Sequence, residues 1–240
     1  VVLGAGAIGC YIGAWLNTTE AQLTFLGRPS VAERVRHNGL SISDLNQRIL
    51  LIYPSAISFV THPEVLKTAD LILVTVKSAD TPEAARQILR HAKPSALVIS
   101  FQNGVGNAKL LKQQLPDMTI ISGMVPFNVA TLPEGRLHCA TEGQLCAEDH
   151  AALSPWLPLF KACGLPIQLH KQFEAIQWGK LILNLNNSVN ALSGLPLKAQ
   201  LSDRAYRQSL ALLIEETLCI LKLAGIRPAK ISKAPPALLP

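Results

Sequence analysis

The residues best suited to chemistry lie in one run, Trp178-Gly179-Lys180-Leu181-Ile182-Leu183-Asn184-Leu185-Asn186-Asn187-Ser188-Val189-Asn190. The run reads as helix, which places Lys180, Asn184 and Ser188 at i, i+4 and i+8 on one stripe, with Asn187 adjacent. Asparagine is a poor helix former, so four of them in one helix imply a use. Reduction of a ketone needs a proton donor for the oxygen that becomes an alkoxide, and further donors that fix the carbonyl. Lys180 can supply that proton. Asn184, one turn on, can orient it or bind substrate, and Ser188 lies one turn further. A polar stripe packed against another domain is the plainer reading of the same residues.

A ketone reductase also needs a hydride source. Val1-Val2-Leu3 runs into Gly4-Ala5-Gly6-Ala7-Ile8-Gly9, a GxGxxG placed where a strand ends and a helix begins. In that context Gly4 permits the tight turn, Gly6 lets the backbone approach a pyrophosphate, and Gly9 allows close helix–strand packing. The free N–H groups of the following helix, with its positive dipole end, face the phosphates. The residue after the second strand separates the dinucleotides, because an acid there accepts ribose hydroxyls. Here Thr24-Phe25-Leu26 runs into Gly27-Arg28. Arg28 can grip a 2′-phosphate through charge-assisted bonds, so NADPH is expected over NADH. A solvated surface arginine is the alternative. Two more strand ends carry polar groups, Lys77 after Leu71–Val76 and Asn103 after Leu97–Phe101. Both are expected at the nicotinamide end of the crevice, against a solvated loop lysine and an Asn-Gly turn residue as plainer readings.

These residues need a scaffold, and the hydrophobic pattern describes one. Val1–Leu3, Leu23–Leu26, Leu71–Val76 and Leu97–Phe101 are near-continuous apolar runs, as parallel strands buried on both faces require. Helical patterns alternate with them at Ile8–Leu16, Val31–Asn38, Thr81–His91 and Ala108–Leu115. Ile120–Met124, Gly143–Ala147 and Pro166–Leu169 read as further strands. The fold class is therefore α/β, an N-terminal Rossmann-type doubly wound sheet over residues 1–169. Beyond it the strand pattern stops. Phe173–Leu192 and Asp203–Ala224 read as helices separated by Gly194-Leu195-Pro196, and Gly225 marks a helix stop. This is an all-helical C-terminal domain over residues 171–240, and the substrate is expected in a cleft between the two domains.

Composition agrees. The 240 residues are 49% hydrophobic and 16% charged, which suits a packed core. The formal net charge of +6 is scattered, with no basic arm and no basic–aromatic interleaving, so nucleic acid is not expected as a partner. Leu210–Ile226 is interrupted by Glu215, Glu216 and Lys222, and is too charged and short for a membrane span. The five cysteines form no CxxC pair, which argues against disulfides or zinc and for a reducing cytoplasm. Cys10, beside the glycine loop, reads as a small buried filler. The start inside a strand without Met, and the end at Pro235-Pro236-Ala237-Leu238-Leu239-Pro240, read as truncations of both termini.

Gly4–Gly9, Gly27-Arg28, Val74-Thr75-Val76-Lys77, Gln102-Asn103-Gly104-Val105-Gly106 and Trp178-Gly179-Lys180-Leu181-x-x-Asn184 follow one another in an order and spacing that resembles the ketopantoate reductases. The resemblance covers nearly the whole chain. It implies a Rossmann domain, a helical domain, and NADPH-dependent reduction of 2-dehydropantoate to pantoate in pantothenate and coenzyme A biosynthesis. It implies Lys180 as general acid, Asn184 as substrate-binding asparagine, and Asn103 and Lys77 as polar lining of the cofactor–substrate cleft, with a homodimer as the candidate assembly. The family also carries a Ser and a Glu in a segment reading roughly S-S-M-x-x-D…E-I-D, which this sequence does not contain, and Ser188 and Asn190 depart from a common Asn-Pro. Another NAD(P)-dependent dehydrogenase of the 3-hydroxyacid or opine type is the competing enzyme reading, and an NADP-binding protein without catalysis the non-enzyme one.

Overall fold

A computed structural model describes residues 1–229, in two compact units that divide between Lys171 and Gln172. The terminal prolines from Pro235 lie outside the described residues. The first unit runs β1 (Val2–Leu3), α1 (Ala7–Leu16), β2 (Thr24–Leu26), α2 (Pro29–Asn38), β3 (Leu40–Asp44), β4 (Ile49–Ile52), β5 (Ser58–Val60), β6 (Leu71–Val74), α3 (Thr81–His91), β7 (Leu97–Ser100), α4 (Asn107–Gln114), β8 (Thr119–Met124), β9 (Val129–Thr131), β10 (Leu137–Cys139), β11 (Leu145–Glu148), α5 (Leu157–Ala162) and β12 (Ile167–His170).

Eight strands form the main sheet in the order β12-β11-β8-β7-β6-β1-β2-β5. Neighbours are parallel except β8 and β11, which are antiparallel. Every residue of β6 and β7 is buried, which is why β6 is apolar throughout and β7 is apolar except for Ser100. Val2 of β1 is flanked by Phe25 of β2 and Leu73 of β6, so strand order reverses at β1 and opens a crevice at its carboxyl end. One core layer joins Tyr11, Phe25, Ile99 and Phe160; the other joins Leu66, Ile72, Ile88 and Leu111 across the opposite face.

A second, four-stranded sheet of order β4-β3-β10-β9 was not legible in the sequence. Its central pair joins Ile42 to Leu137 across the chain, and β9 and β10 are three residues each, too short for a local period. The sheet packs over α1. That explains why eight of the ten α1 residues, Gly9 through Leu16, are buried and why the opening stretch is apolar all round. Strand ends also shift from the expected ones. The run Leu71–Val76 leaves the sheet after Val74, and the run Gly143–Ala147 enters it only at Leu145.

The second unit holds α6 (Phe173–Ser193), α7 (Leu197–Ser202) and α8 (Arg204–Leu223). α6 stops at Gly194, whose φ of 64° is left-handed. The short α7 fills what the sequence presented as a plain connection, and its Gln200 is fully buried. Asp203 caps α8 by accepting a bond from Ala205 N–H at 2.7 Å. At the other end Ile226 N–H donates to Leu221 O at 2.8 Å around Gly225, a Schellman closure at the expected stop. No described helix is long and apolar enough to cross a membrane.

Candidate active site

The glycine loop is built by contacts that leave no room for side chains at two of its positions. After β1 the chain turns at Gly4, whose φ is 104°, and Gly4 and Ala5 donate to Leu26 O at 2.9 and 3.2 Å. A Cβ on Gly4 would lie 2.6 Å from Val76 N. One on Gly9 would lie 2.5 Å from Gly4 O and 2.6 Å from Thr75 Oγ1. Both glycines are therefore fixed by the protein's own packing. Gly6 differs: its imagined Cβ meets nothing nearer than Gly4 O at 4.0 Å, and the residue is exposed. The space in front of Gly6 is open, which a backbone approached by a pyrophosphate requires. Ala7 and Ile8 form the first turn of α1, which carries no acid and no side-chain cap, so its amide end is open to an anion.

A pocket of about 440 Å³ opens at the carboxyl ends of β1, β2 and β6 and gathers Gly4, Ala5, Gly6, Arg28 and Lys77. Five of the expected cofactor residues thus share one wall, and its glycine cradle fits a dinucleotide. Arg28 is exposed at the entry to α2, and β2 ends with no acid beside it. Asp80 and Glu83 lie on the same pocket. The Glu83 carboxylate accepts from Arg86 at 2.6 and 3.0 Å and from Gln87 at 3.0 Å, and the Arg86 bonds hold it below the usual carboxylate pKa.

Asn103 is exposed just past β7, and its backbone carbonyl accepts from Ser78, next to Lys77, at 3.2 Å. Lys77 and Asn103 therefore sit on two loops tied to each other. The sequence reading missed the residues that hold these loops. Thr75 donates to Gly4 O at 2.8 Å and so locks β6 onto the glycine turn. Gln102, Thr81 and Asn107 bridge the loops after β6 and β7. The available signal was a polar residue inside or ending an apolar run, Thr75 between two valines and Gln102 after Phe101. Cys10 is the inert filler expected: its thiol donates to Ala5 O at 3.4 Å, and burial pushes its pKa up to about 12.

In the second unit, α6 carries Lys180, Asn184 and Ser188 as the helical spacing requires. Lys180 is half-buried, and burial lowers its pKa from the usual lysine value. Asn184 is partly buried, whereas Ser188 is exposed and donates back to Leu185 O at 2.8 Å. Two of the four asparagines have structural uses. Asn186 donates to Gln200 Oε1 at 3.3 Å and Asn190 to Leu195 O at 3.0 Å, so they tie α6 to α7 and to the turn before it.

Residues 1–151 match the family described as Ketopantoate reductase PanE/ApbA. A 2-dehydropantoate 2-reductase of Halobacterium salinarum is 30% identical over 200 residues, which cover 80% of this chain and 65% of that protein. The chain thus spans just under two thirds of that relative's length. A crystal structure of a PanE/ApbA family ketopantoate reductase from Ralstonia eutropha aligns with a TM-score of 0.85 at 27% identity, over 95% of this chain and 76% of that one. The ternary structure of D-mandelate dehydrogenase with NADH and anilino(oxo)acetate shares the fold, with a TM-score of 0.79 at 16% identity over 95% of this chain and 75% of that one.

Proposed function

The chain belongs to the ketopantoate reductase family, and from that premise we propose that it binds NADPH and reduces a small 2-keto acid, first among them 2-dehydropantoate, to the 2-hydroxy acid. The observation that carries this reading is the single pocket that joins an open Gly6 cradle to Arg28 and Lys77. When bound, the reduced nicotinamide supplies hydride to the ketone carbon. The chain's own residues do the rest. Gly4 to Gly9 and the amide end of α1 hold the pyrophosphate. Arg28 takes the 2′-phosphate through charge-assisted bonds. The Lys180 ammonium gives a proton to the carbonyl oxygen: its N–H bond breaks, an O–H bond forms, and the neutral amine recovers a proton from water. Burial makes that proton easier to give. The Asn184 carboxamide, which does not titrate, binds a substrate oxygen.

Asp80 and Glu83 on the same pocket wall favour a second reading, in which a carboxylate accepts the ribose hydroxyls of NADH. Glu83 is already held by Arg86 and Gln87, and both acids follow β6 rather than β2, after which the ribose-binding acid stands, which leaves Arg28 as the stronger determinant. The test is the loss of NADPH absorbance with 2-dehydropantoate against a panel of other 2-keto acids, repeated with NADH. Turnover of 2-dehydropantoate with NADPH above all other pairs is expected. Tight NADPH binding with no turnover of any keto acid would leave a cofactor-binding protein, and a preference for NADH would remove the role given to Arg28.

A further inference from the structure

We propose that Gln102, Thr81 and Asn107 are positioning residues that set the loop bearing Asn103 against the loop bearing Lys77. This rests on the reading that those two loops line the reductase site. Gln102 is buried, and its Oε1 accepts the hydroxyl of buried Ser100 at 2.8 Å. Its Nε2 donates to Val76 O at 3.1 Å and to Thr81 Oγ1 at 2.8 Å, so both of its hydrogens are used. Thr81, only 1% exposed, therefore turns its own hydroxyl hydrogen to Asn107 Oδ1 at 3.2 Å. Asn107 Nδ2 in turn donates to Ser78 Oγ at 3.1 Å and to Asn103 O at 2.8 Å, and Ser78 donates to the same Asn103 oxygen.

The chain of bonds thus has one direction, from Ser100 to the Asn103 carbonyl. Successive donors polarise one another along such a chain. Two donors draw the Asn103 carbonyl into the network. The peptide that follows is trans, so the Gly104 N–H points the opposite way, out of the network. Gly104 takes a φ of 91°, which a side chain would resist, and this turn presents Asn103 to solvent. Apolar side chains could fill the same buried volume without the cost of burying polar groups. They would not fix the register of two loops, because apolar contacts are not directional whereas each hydrogen bond needs its own partner in line.

The experiment compares Thr81→Val, which keeps the shape and removes the hydroxyl, with Thr81→Ser, which keeps the hydroxyl, in the full chain. Asn107→Asp is a second variant, nearly isosteric, that still accepts from Thr81 and loses both donations. Amide hydrogen exchange is read segment by segment, NADPH affinity by fluorescence, and keto-acid kinetics per titrated NADPH site. For Thr81→Val and Asn107→Asp, exchange at Asp80 and Leu110, whose amides are held by Lys77 O and Gly106 O, should rise about tenfold or more while residues 4–9 stay unchanged. The keto-acid KM should rise along with a fall in kcat, and Thr81→Ser should restore both. Exchange that rises evenly over the whole first unit, or kinetics per NADPH site that match wild type in both kcat and KM, marks a purely structural role and overturns the proposal. A wild-type chain that reduces no keto acid would overturn the proposed function alone, because the exchange contrast still decides the positioning role.

Discussion

Gly6 and Gly9 lie three residues apart in one motif, and substituting alanine at each should fail in opposite ways. In Gly9→Ala the new methyl would lie 2.5 Å from Gly4 O, a backbone atom that cannot turn aside, and 2.6 Å from Thr75 Oγ1. Overpacking of this kind costs about 1–3 kcal/mol. Displacing the Thr75 hydroxyl from Gly4 O loses roughly another 0.5–1.5 kcal/mol. Alanine's helix propensity returns about 1 kcal/mol. The net is a destabilisation of roughly 2 kcal/mol, or roughly 4–8 °C in melting temperature for a unit of this size. Gly6→Ala meets no protein atom closer than 4.0 Å, and its φ of −83° suits any residue. Its melting temperature should stay within about 2 °C of wild type. Its methyl instead occupies the open space proposed for the pyrophosphate. Loss of one charge-assisted bond, about 1.5–3 kcal/mol, weakens NADPH binding roughly 10- to 150-fold. Thermal melts without ligand and NADPH titration by fluorescence measure the two effects separately. A Gly9→Ala protein that melts at or above wild type, or a Gly6→Ala protein with undiminished NADPH affinity, would refute the reasoning.

Arg28→Ala should erase most of the preference for NADPH while leaving NADH affinity within about threefold, since only the 2′-phosphate loses a partner worth roughly 1.5–3 kcal/mol; equal loss for both cofactors removes the assignment. Lys180→Ala should lower kcat by about 10²–10⁴-fold, the usual range for a lost general acid. Because Lys180 acts protonated and burial lowers its pKa, wild-type kcat/KM should fall with rising pH at a midpoint below the ordinary lysine value of 10.5, and that alkaline limb should vanish in the variant. Asn184→Ala should raise KM at least as much as it lowers kcat, as steady-state kinetics will show. Ile99→Ala, at a fully buried position in the middle of β7, should cost about 2–5 kcal/mol in denaturant unfolding.

The Rossmann frame could be read from the sequence because its signals are local. A strand buried on both faces is mostly apolar along its length, and Leu71-Ile72-Leu73-Val74 and Leu97-Val98-Ile99 say so without reference to any partner. GxGxxG is legible from its spacing after a strand, even though the contacts that require glycine at positions 4 and 9 come partly from Thr75 and Val76. Counting to the end of β2 placed Arg28 at the entry to α2, and the helical period placed Lys180 and Asn184 on one face of α6.

What the tertiary structure decided is what depends on a distant partner. Leu137 pairs with Ile42, and neither three-residue β10 nor its neighbour β9 carries a period that announces the second sheet. The four asparagines of α6 look alike in the sequence. Only the position of Gln200 and of the Leu195 carbonyl assigns Asn186 and Asn190 to structure and so sets them apart from Asn184 and Asn187. Gln102, Thr81 and Asn107 come from three separate elements, and the bonds among them exist only once β6 and β7 lie side by side. Hydrophobic periodicity records whether a residue is buried. It does not record which polar group it meets there, and that is fixed by packing between segments far apart in the chain.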